Sequence, residues 1–442
     1  MTRRPTGPVA GRARRLAAVL AACALALTAC SDDGAAPETG PTPSGPSADQ
    51  ATTDHAAACA DVTGSLLRAT QSYVDGYGAP LNGRRSARDG SRPEPIGDED
   101  LKQAMEAAQQ DLQRLGCDIE AFRRQLREGL AGITAQGAVA RAVLLQLEAS
   151  MTGTAATQPR TETARPGDDL PRVLAALAPG STLRLAAGSY PLDETVVLLQ
   201  GVTLRGEGRG RTVIETSAAD AGILVLTDGR VELRGLTVRH SGDEPATGLI
   251  GGPSSSVVLT KVRIAGAQAR RGDGGTGVLM SARQGEAGGR GTTLEVTDSV
   301  LENNAAAGVL LTGGHRASIV GSEFRANRQC GVCFVGASAG AVRDGRFVGN
   351  GAGIAVVDTA RPLLVRNRFT GGEVGVQAAG RAAPVVRRST VRGSARAALI
   401  FSDRSRGRVD HVTCRDVEFG IVVAPKALPF LGDNDCTVAR GR

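Results

Sequence analysis

Residues 308–334 read GVLLTGGHRASIVGSEFRANRQCGVCF, and this stretch contains one complete unit of a repeat and the start of the next. An apolar, strand-like segment begins at Gly308, and the same pattern begins again at Gly331. Later segments of this kind begin at Gly353, Gly375, Ala398 and Gly420. The steps between consecutive starts are 23, 22, 22, 23 and 22 residues. A period this constant is typical of a solenoid, in which each unit stacks on the previous one.

Other positions of the unit keep the same register. One apolar column follows each glycine segment and contains Phe324, Phe347, Phe369, Val391 and Cys414. Another column contains Ile319, Val342, Leu364, Val386 and Val409. Asparagine or a substitute precedes the glycine segments at Asn304, Asn327, Asn350, Ser394 and Asp416. Longer units begin upstream at Gly222, Gly248 and Gly277. Several columns in register over six units predict stacked turns with short parallel strands.

The apolar alternation also predicts which side chains face inward. In each glycine segment, the residue after the glycine and the one two positions further, such as Val309 and Leu311, are predicted to lie in the core. The residue between them is predicted to lie on the outer surface. These outer residues are Leu310, Cys333, Ala355, Gln377, Ile400 and Val422. The outer row contains no carboxylate.

The repeat resembles the right-handed parallel β-helix of the pectate-lyase-like superfamily over roughly residues 168–442. The resemblance implies a mainly β fold with an N-terminal cap helix, which we place at Asp168–Ala178, and a first full turn at 201–216. It also implies that an active site, if present, occupies a groove along the outer face of one sheet. The fold alone does not define an activity, because it carries many.

The first 30 residues are predicted to be a bacterial lipoprotein signal peptide. Basic residues precede a short apolar run that ends in Leu27-Thr28-Ala29-Cys30, which resembles a lipobox. The resemblance implies lipid attachment at Cys30 and an acyl anchor on the extracytoplasmic face of the cell membrane. The alternative is an ordinary signal peptide with a chance cysteine. Residues 31–53, rich in Pro, Ser, Thr and Gly, are predicted to be a disordered tether.

Residues 54–150 are predicted to form a small α-helical bundle, joined by a linker at 151–167 to the β-helix. Apolar residues recur at steps of three and four along 98–130, which indicates an amphipathic helix with Asp98 as its N-cap. An earlier stripe and a later one indicate two more helices, three in total.

Six cysteines follow Cys30, and an even number outside the cytosol favours disulfides. Cys59 and Cys117 both lie beside apolar stripes of the helical region. Cys414 and Cys436 are one repeat apart, so we expect them on neighbouring turns. Cys330 and Cys333 form a CGVC sequence, for which a local disulfide or two unpaired thiols are both open interpretations. A strand start does not supply the helix N-terminus that activates a redox thiol, and no second ligand pair indicates zinc.

The longer turns at 239–247 and 267–276 provide the catalytic candidates. Their polar residues are His240, Asp243, Glu244, Arg270, Arg271 and Asp273. Histidine, carboxylates and arginines could together perform acid–base chemistry on an acidic sugar, and mobile polar loops are the alternative. The sequence indicates no metal site and no cofactor.

The chain has 52 Lys and Arg against 45 Asp and Glu, a net charge of +7. Arginines recur in repeat register in the second half, and we predict that they bind an anion. They are Arg343, Arg346, Arg366, Arg368, Arg387 and Arg388. The alternative is a genome that encodes Arg in place of Lys. Aromatic residues make up only 2%, so base-stacking nucleic-acid recognition is not expected.

The leading interpretation is a membrane-anchored lipoprotein whose β-helix serves as a binding or scaffold surface for a glycan of the cell envelope or of the extracellular space. A second interpretation is a lyase or epimerase that acts on acidic polysaccharide through the 239–276 loops. A third is a subunit that binds an envelope protein, since the outer apolar row could be an interface.

Overall fold

A computed structural model describes residues 48–78, 97–252, 254–281 and 293–441. The predicted lipobox with Cys30 and most of the predicted tether lie outside the described residues. The chain divides into two compact units. One comprises the described residues up to 158 with 171–178, and the other comprises residues 159–170 with the described residues from 179 to 441.

The first unit is helical. Its helices are α1 (Ala48–Asp75), α2 (Asp98–Leu115), α3 (Ile119–Ala131) and α4 (Ala138–Met151), followed by the short α5 (Leu170–Ala175). The predicted single helix over 98–130 is wrong, because Gly116 adopts a left-handed conformation with φ of 68° and ends α2. The predicted N-cap is also wrong by one residue. Helix α2 begins at Asp98 and its N-cap is Gly97, whose backbone N–H donates to the Asp100 carboxylate over 2.8 Å.

The second unit is a right-handed parallel β-helix. Its first strands are β1 (Thr161–Ala164), β2 (Thr182–Leu185), β3 (Gly188–Leu192), β4 (Val196–Leu198), β5 (Thr203–Gly206), β6 (Thr212–Thr216), β7 (Asp220–Val225), β8 (Arg230–Arg234), β9 (Thr237–His240), β10 (Ala246–Gly251), β11 (Ser256–Thr260) and β12 (Arg263–Ala265). The middle strands are β13 (Ala269–Arg270), β14 (Asp273–Gly274), β15 (Val278–Met280), β16 (Thr293–Thr297), β17 (Val300–Glu302), β18 (Ala307–Leu311), β19 (Arg316–Val320), β20 (Glu323–Arg325), β21 (Cys330–Phe334), β22 (Ala339–Arg343), β23 (Arg346–Val348) and β24 (Ala352–Val356). The last strands are β25 (Arg361–Val365), β26 (Arg368–Thr370), β27 (Val374–Ala378), β28 (Val385–Arg387), β29 (Thr390–Arg392), β30 (Ala397–Phe401), β31 (Arg408–Asp410), β32 (Thr413–Arg415), β33 (Ile421–Val423), β34 (Phe430–Leu431) and β35 (Val438–Arg440).

These strands form three long parallel sheets. Sheet A has 12 strands, from β1 and β2 to β34; sheet B has 10, from β3 to β32; and sheet C has 11, from β4 to β35. Apart from the turns that begin with β1 and β34, each turn of the chain contributes one strand to A, then B, then C. The segments β2, β3 and β4 already complete a turn, so the solenoid begins one turn before the expected first turn at 201–216.

The predicted core columns are confirmed. Val309 pairs in register with Val332, and both are completely buried. Phe324, Phe347 and Phe369 stack along sheet B with ring centroids 4.9 and 4.8 Å apart. Space favours glycine near the start of most sheet C strands, since a Cβ at Gly331 would lie 2.7 Å from the backbone oxygen of Gly353; Ala398 takes this position on β30. Stacked turns therefore share one continuous core.

The asparagine column forms a buried hydrogen-bonded ladder. The Asn304 side-chain amide donates to the Asn327 side-chain oxygen over 2.8 Å, and Asn327 donates in turn to Asn350 over 2.9 Å. The Asn327 amide also donates to the Leu301 carbonyl oxygen over 3.0 Å. The ladder satisfies backbone and side-chain groups where the chain turns from sheet B to sheet C.

All three predicted disulfide pairs are present. Cys59 and Cys117 have Cα atoms 5.9 Å apart, and Cys414 and Cys436 have Cα atoms 5.0 Å apart on neighbouring turns. Cys330 and Cys333 are also bonded, which decides between the two open interpretations. Cys330 is fully buried in the column of Ala307 and Ala352.

Candidate functional site

The 239–247 turn holds its histidine inside the wall of the solenoid. His240 ends strand β9 on sheet B and is only 5% exposed. Its Nε2 atom lies 3.2 Å from the backbone oxygen of Glu244, and Nδ1 has no hydrogen-bond partner among the described residues. Asp243 and Glu244 are exposed. The histidine ring therefore contacts the backbone of this turn.

The 267–276 turn carries a two-residue hairpin. Strands β13 and β14 pair antiparallel, so that Arg270 lies opposite Asp273. Arg271 and Gly272 form the tip with φ of 53° and 86°. All of the candidate side chains in this turn are exposed. The structure thus pairs the backbone of Arg270 with the backbone of Asp273 across the hairpin, and it places the His240 side chain in a buried position.

The predicted arginine columns divide into paired and unpaired groups. Arg366 lies at the corner between sheets A and B and binds the carboxylate of Asp344, one turn earlier, with two hydrogen bonds of 2.7 Å. The hydrogen bonds from this guanidinium hold the pKa of Asp344 below its ordinary value, and the Asp344 carboxylate in turn raises the pKa of Arg366. Arg388 occupies the same corner position one turn later, with φ of 49°. The Arg366 charge is therefore already compensated.

The outer face of sheet B contains a network of ion pairs. Glu302 lies between Arg263 and Arg325 and pairs with both. Arg346 lies 3.7 Å from Glu323, and Arg368 is its register neighbour on the next turn. Farther along, Arg392 pairs with Asp416 and Arg415 with Asp435. Most cations of this face thus have a carboxylate partner.

The outer face of sheet A carries arginines without carboxylate partners among the described residues along both of its margins. The sequence columns had included only the arginines at one margin, Arg343 and Arg387. Arg343 and Arg387 lie at the end of strands β22 and β28, with Val365 between them in register. At the start of these strands, the column reads Arg316, Ala339 and Arg361 in register. The column continues to Arg406, whose backbone N–H donates to Ala382 over 2.8 Å.

Arginines consequently alternate between the two margins of sheet A on successive turns. We call Arg316, Arg343, Arg361, Arg387 and Arg406 the arginine zigzag. Turns lie about 4.8 Å apart and four residues of strand span about 13 Å. Zigzag residues on successive turns are therefore about 14 Å apart, and those on the same margin, two turns apart, are about 10 Å apart. Salt at 0.1 M, with a Debye length of about 10 Å, screens much of their repulsion.

The strip between the margins is apolar on three of the five turns, and its column reads Ser318 on the first turn and Arg408 on the last. Its apolar outward residues are Ala341, Leu363 and Val385 on consecutive turns. No salt bridge within the described part of the chain involves any zigzag arginine. Strands β19, β22, β25 and β28 present no carboxylate or histidine outward. On the next turn, β31 presents Asp410, which lies in register with Arg387 and pairs with Arg408. The surface can therefore hold an extended anion against an apolar floor, with donors on both sides.

Among the described residues, no group of three or more His, Cys, Asp or Glu lies close enough to hold a metal ion. None of the helices described is long and apolar enough to span a membrane.

Comparison with known proteins identifies the family. The model of the family described as right handed beta helix region matches residues 199–345 and 288–440, more than half of the chain. The chain therefore belongs to this family of parallel β-helix proteins. A search of curated proteins finds no match.

Several solved structures resemble the chain at low identity. The catalytic domain of a GH87 α-1,3-glucanase shares 11% identity over 58% of this chain and 61% of its own, with a TM-score of 0.39. The A-module of an Azotobacter vinelandii mannuronan C-5 epimerase shares 15% over 60% of this chain and 92% of its own, with a TM-score of 0.33. Tailspike protein 2 of Escherichia coli O157:H7 bacteriophage CAB120 shares 9% over 62% of this chain and 42% of its own, with a TM-score of 0.39. The chain thus spans less than two thirds of the glucanase domain and of the tailspike.

Proposed function

We propose that this protein is an extracytoplasmic lipoprotein, anchored through Cys30, whose β-helix binds an acidic glycan along the outer face of sheet A. The anchor is inferred from the Leu27-Thr28-Ala29-Cys30 sequence. The three disulfides favour an oxidising compartment, where such bonds persist.

The arginine zigzag carries the glycan proposal. In a flat, two-fold polysaccharide ribbon, consecutive sugars are turned over, so their carboxylates alternate between the two edges. A ribbon lying along the solenoid axis would meet Arg343, Arg361 and Arg387 on alternate sides of successive turns. The apolar faces of the sugars would rest on Leu363 and Val385. Arginine suits this task because its planar fork pairs with a carboxylate through two hydrogen bonds.

Binding is favoured over catalysis on this face. A lyase or a glycoside hydrolase requires a general acid or base within hydrogen-bond reach of the sugar. The outward residues of strands β22, β25 and β28 are Ala339, Ala341, Arg343, Arg361, Leu363, Val365, Val385 and Arg387. This set supplies cations and apolar surface without a titrating carboxylate or histidine, as a scaffold for an anionic polymer requires.

The test compares an acidic with a neutral glycan. The protein lacking its first 30 residues, which retains helix α1, is titrated with a ribbon-forming polyuronate and with an uncharged glucan in a calorimeter. The variant R361Q/R387Q/R406Q is expected to bind the polyuronate about tenfold more weakly, because three exposed charge contacts contribute roughly 0.5 kcal/mol each. The matched control R239Q/R392Q/R415Q removes three ion-paired arginines of sheet B and is expected to bind like wild type. Equal affinity for both glycans would reject the proposal.

A further inference from the structure

Three more arginines stack directly on one another at the beginning of sheet A. Arg184 on β2 pairs in register with Arg205 on β5, and Arg205 pairs with Arg234 on β8. All three side chains are exposed. Adjacent strands are about 4.8 Å apart, so the backbone positions of neighbouring stack arginines are about 4.8 Å apart. This spacing is much shorter than the spacing between arginines of the zigzag. We call these residues the arginine stack.

The stack is uncompensated. Like charges directly opposite on neighbouring strands repel each other. No salt bridge within the described part of the chain involves Arg184, Arg205 or Arg234. Arg230, four residues before Arg234 on the same strand, contrasts with them because it pairs with Glu295 at 3.3 Å. Arg230 on β8 thus has a carboxylate partner, whereas the three arginines of the stack have none among the described residues.

Hydroxyl donors surround the stack. The outward residues two positions before Arg184 and Arg205 are Thr182 and Thr203, which pair in register. Strand β1 adds outward Thr161 and Thr163 on the preceding turn. Glu232 is the one carboxylate among the outward residues of β1, β2, β5 and β8, and it lies on the last of these strands. The first turns therefore present a patch that mainly donates hydrogen bonds.

We propose that the arginine stack is a binding site for tetrahedral phosphate groups carried along a linear chain. A planar carboxylate has two oxygens and is satisfied by a single guanidinium fork. A phosphate group presents oxygens in several directions, so donors from two adjacent turns and a threonine hydroxyl can all reach it. The three arginines also lie in a line along the solenoid axis, which suits a chain of phosphates better than a flat membrane surface.

The site is separate from the proposed glycan surface. The stack occupies strands β2, β5 and β8, whereas the zigzag runs from β19 to Arg406. The inference does not depend on glycan binding, and the two can succeed or fail independently.

The experiment titrates three variants of equal charge change with two polyanions. Wild type, R184Q/R205Q/R234Q, R361Q/R387Q/R406Q and R239Q/R392Q/R415Q are each titrated with linear inorganic polyphosphate and with polyuronate. We expect the stack variant to bind polyphosphate at least tenfold more weakly and polyuronate within twofold of wild type. The sheet B variant should match wild type for polyphosphate.

Folding is checked in the same samples. Removing one of three stacked cations relieves repulsion, so R205Q is expected to melt at or above the wild-type temperature. The single variant R205E should lose polyphosphate binding while remaining folded. Equal losses of polyphosphate affinity in all three triple variants would show attraction to net charge alone and overturn the inference. Binding to phosphatidylglycerol vesicles but not to polyphosphate would also overturn it.

Discussion

Arg366 forms two hydrogen bonds with the carboxylate of Asp344, which lies one turn earlier in the solenoid. Its Nε and Nη2 atoms each donate to a different carboxylate oxygen over 2.7 Å. Both residues occupy the left-handed corner between sheets A and B, with φ of 54° and 55°. The corner column therefore places side chains of successive turns side by side. Here it joins opposite charges, and the arginine predicted to bind an external anion is occupied within the protein.

This pair predicts a specific titration. The pKa of Asp344 is held low mainly by the hydrogen bond from Arg366, with Arg343 contributing further. Replacing Arg366 with Gln is expected to raise the pKa of Asp344 towards its ordinary value, as followed by NMR of the carboxyl carbon. Because the folded-state pKa is depressed, any stabilisation is present above the unfolded value and lost as pH falls through the folded value. An unchanged titration in R366Q would contradict the assignment, with R368Q as the control.

A buried histidine predicts acid sensitivity of the β-helix. His315 is 1% exposed, and burial lowers its pKa. Below about pH 6.5 the unfolded chain takes up a proton that the folded chain does not, so the free energy of unfolding falls as pH decreases until the folded value is passed. The variant H315L is expected to lose this part of the decline between pH 8 and pH 5 in denaturant titrations. A wild-type decline in H315L would contradict the prediction.

The three disulfides should stabilise to different extents. The bonds close loops with sequence separations of 58, 22 and 3 residues. Chain entropy predicts contributions of about 4, 3 and 2 kcal/mol respectively. Within the β-helix, C414A/C436A is therefore expected to lower the thermal unfolding temperature more than C330A/C333A. Alanine suits the second pair because Ala307 and Ala352 flank Cys330 in register. The opposite order of melting temperatures would contradict the loop-closure argument.

The asparagine ladder should be sensitive at its middle residue. Asn327 is fully buried and donates to both Asn350 and the Leu301 carbonyl. Replacing it with Ala leaves the Asn304 amide and other buried groups without partners, which costs about 3 kcal/mol. Guanidinium denaturation measures the loss. Replacing the exposed Arg328, the next residue, with Ala should change the free energy of unfolding by less than about 0.5 kcal/mol. Similar losses in N327A and R328A would contradict the role of the ladder.

The sequence predicted the residues that face the core of the β-helix, but it did not predict many of the features formed by the outward residues. Val309 and Val332 repeat because the same narrow core surrounds each turn, so the period is visible in the letters. Outward residues face water and are free to vary. Arg316, Arg361 and Arg406 recur every 45 residues, which is two turns, so they do not form a column at the single-turn period of 22 or 23 residues.

Two other features needed the three-dimensional structure. Arg184, Arg205 and Arg234 come from turns of unequal length, at steps of 21 and 29 residues, and no constant period aligns them. The apolar stripe along 98–130 continues past Gly116 without a gap in its spacing, although the chain leaves the helix there. The candidate residues His240 and Asp273 could be placed on neighbouring turns from sequence, but the burial of the histidine could not.

The central claim is that the arginine zigzag holds an acidic glycan, and the salt dependence of polyuronate binding tests it most directly. Calorimetric affinities are measured between 50 and 300 mM salt for wild type, R361Q/R387Q/R406Q and R239Q/R392Q/R415Q. The account predicts that affinity falls with salt for wild type and for the sheet B variant, and that the zigzag variant binds weakly with a shallower slope, because fewer counterions are released. Identical affinities and slopes for the two triple variants would contradict it.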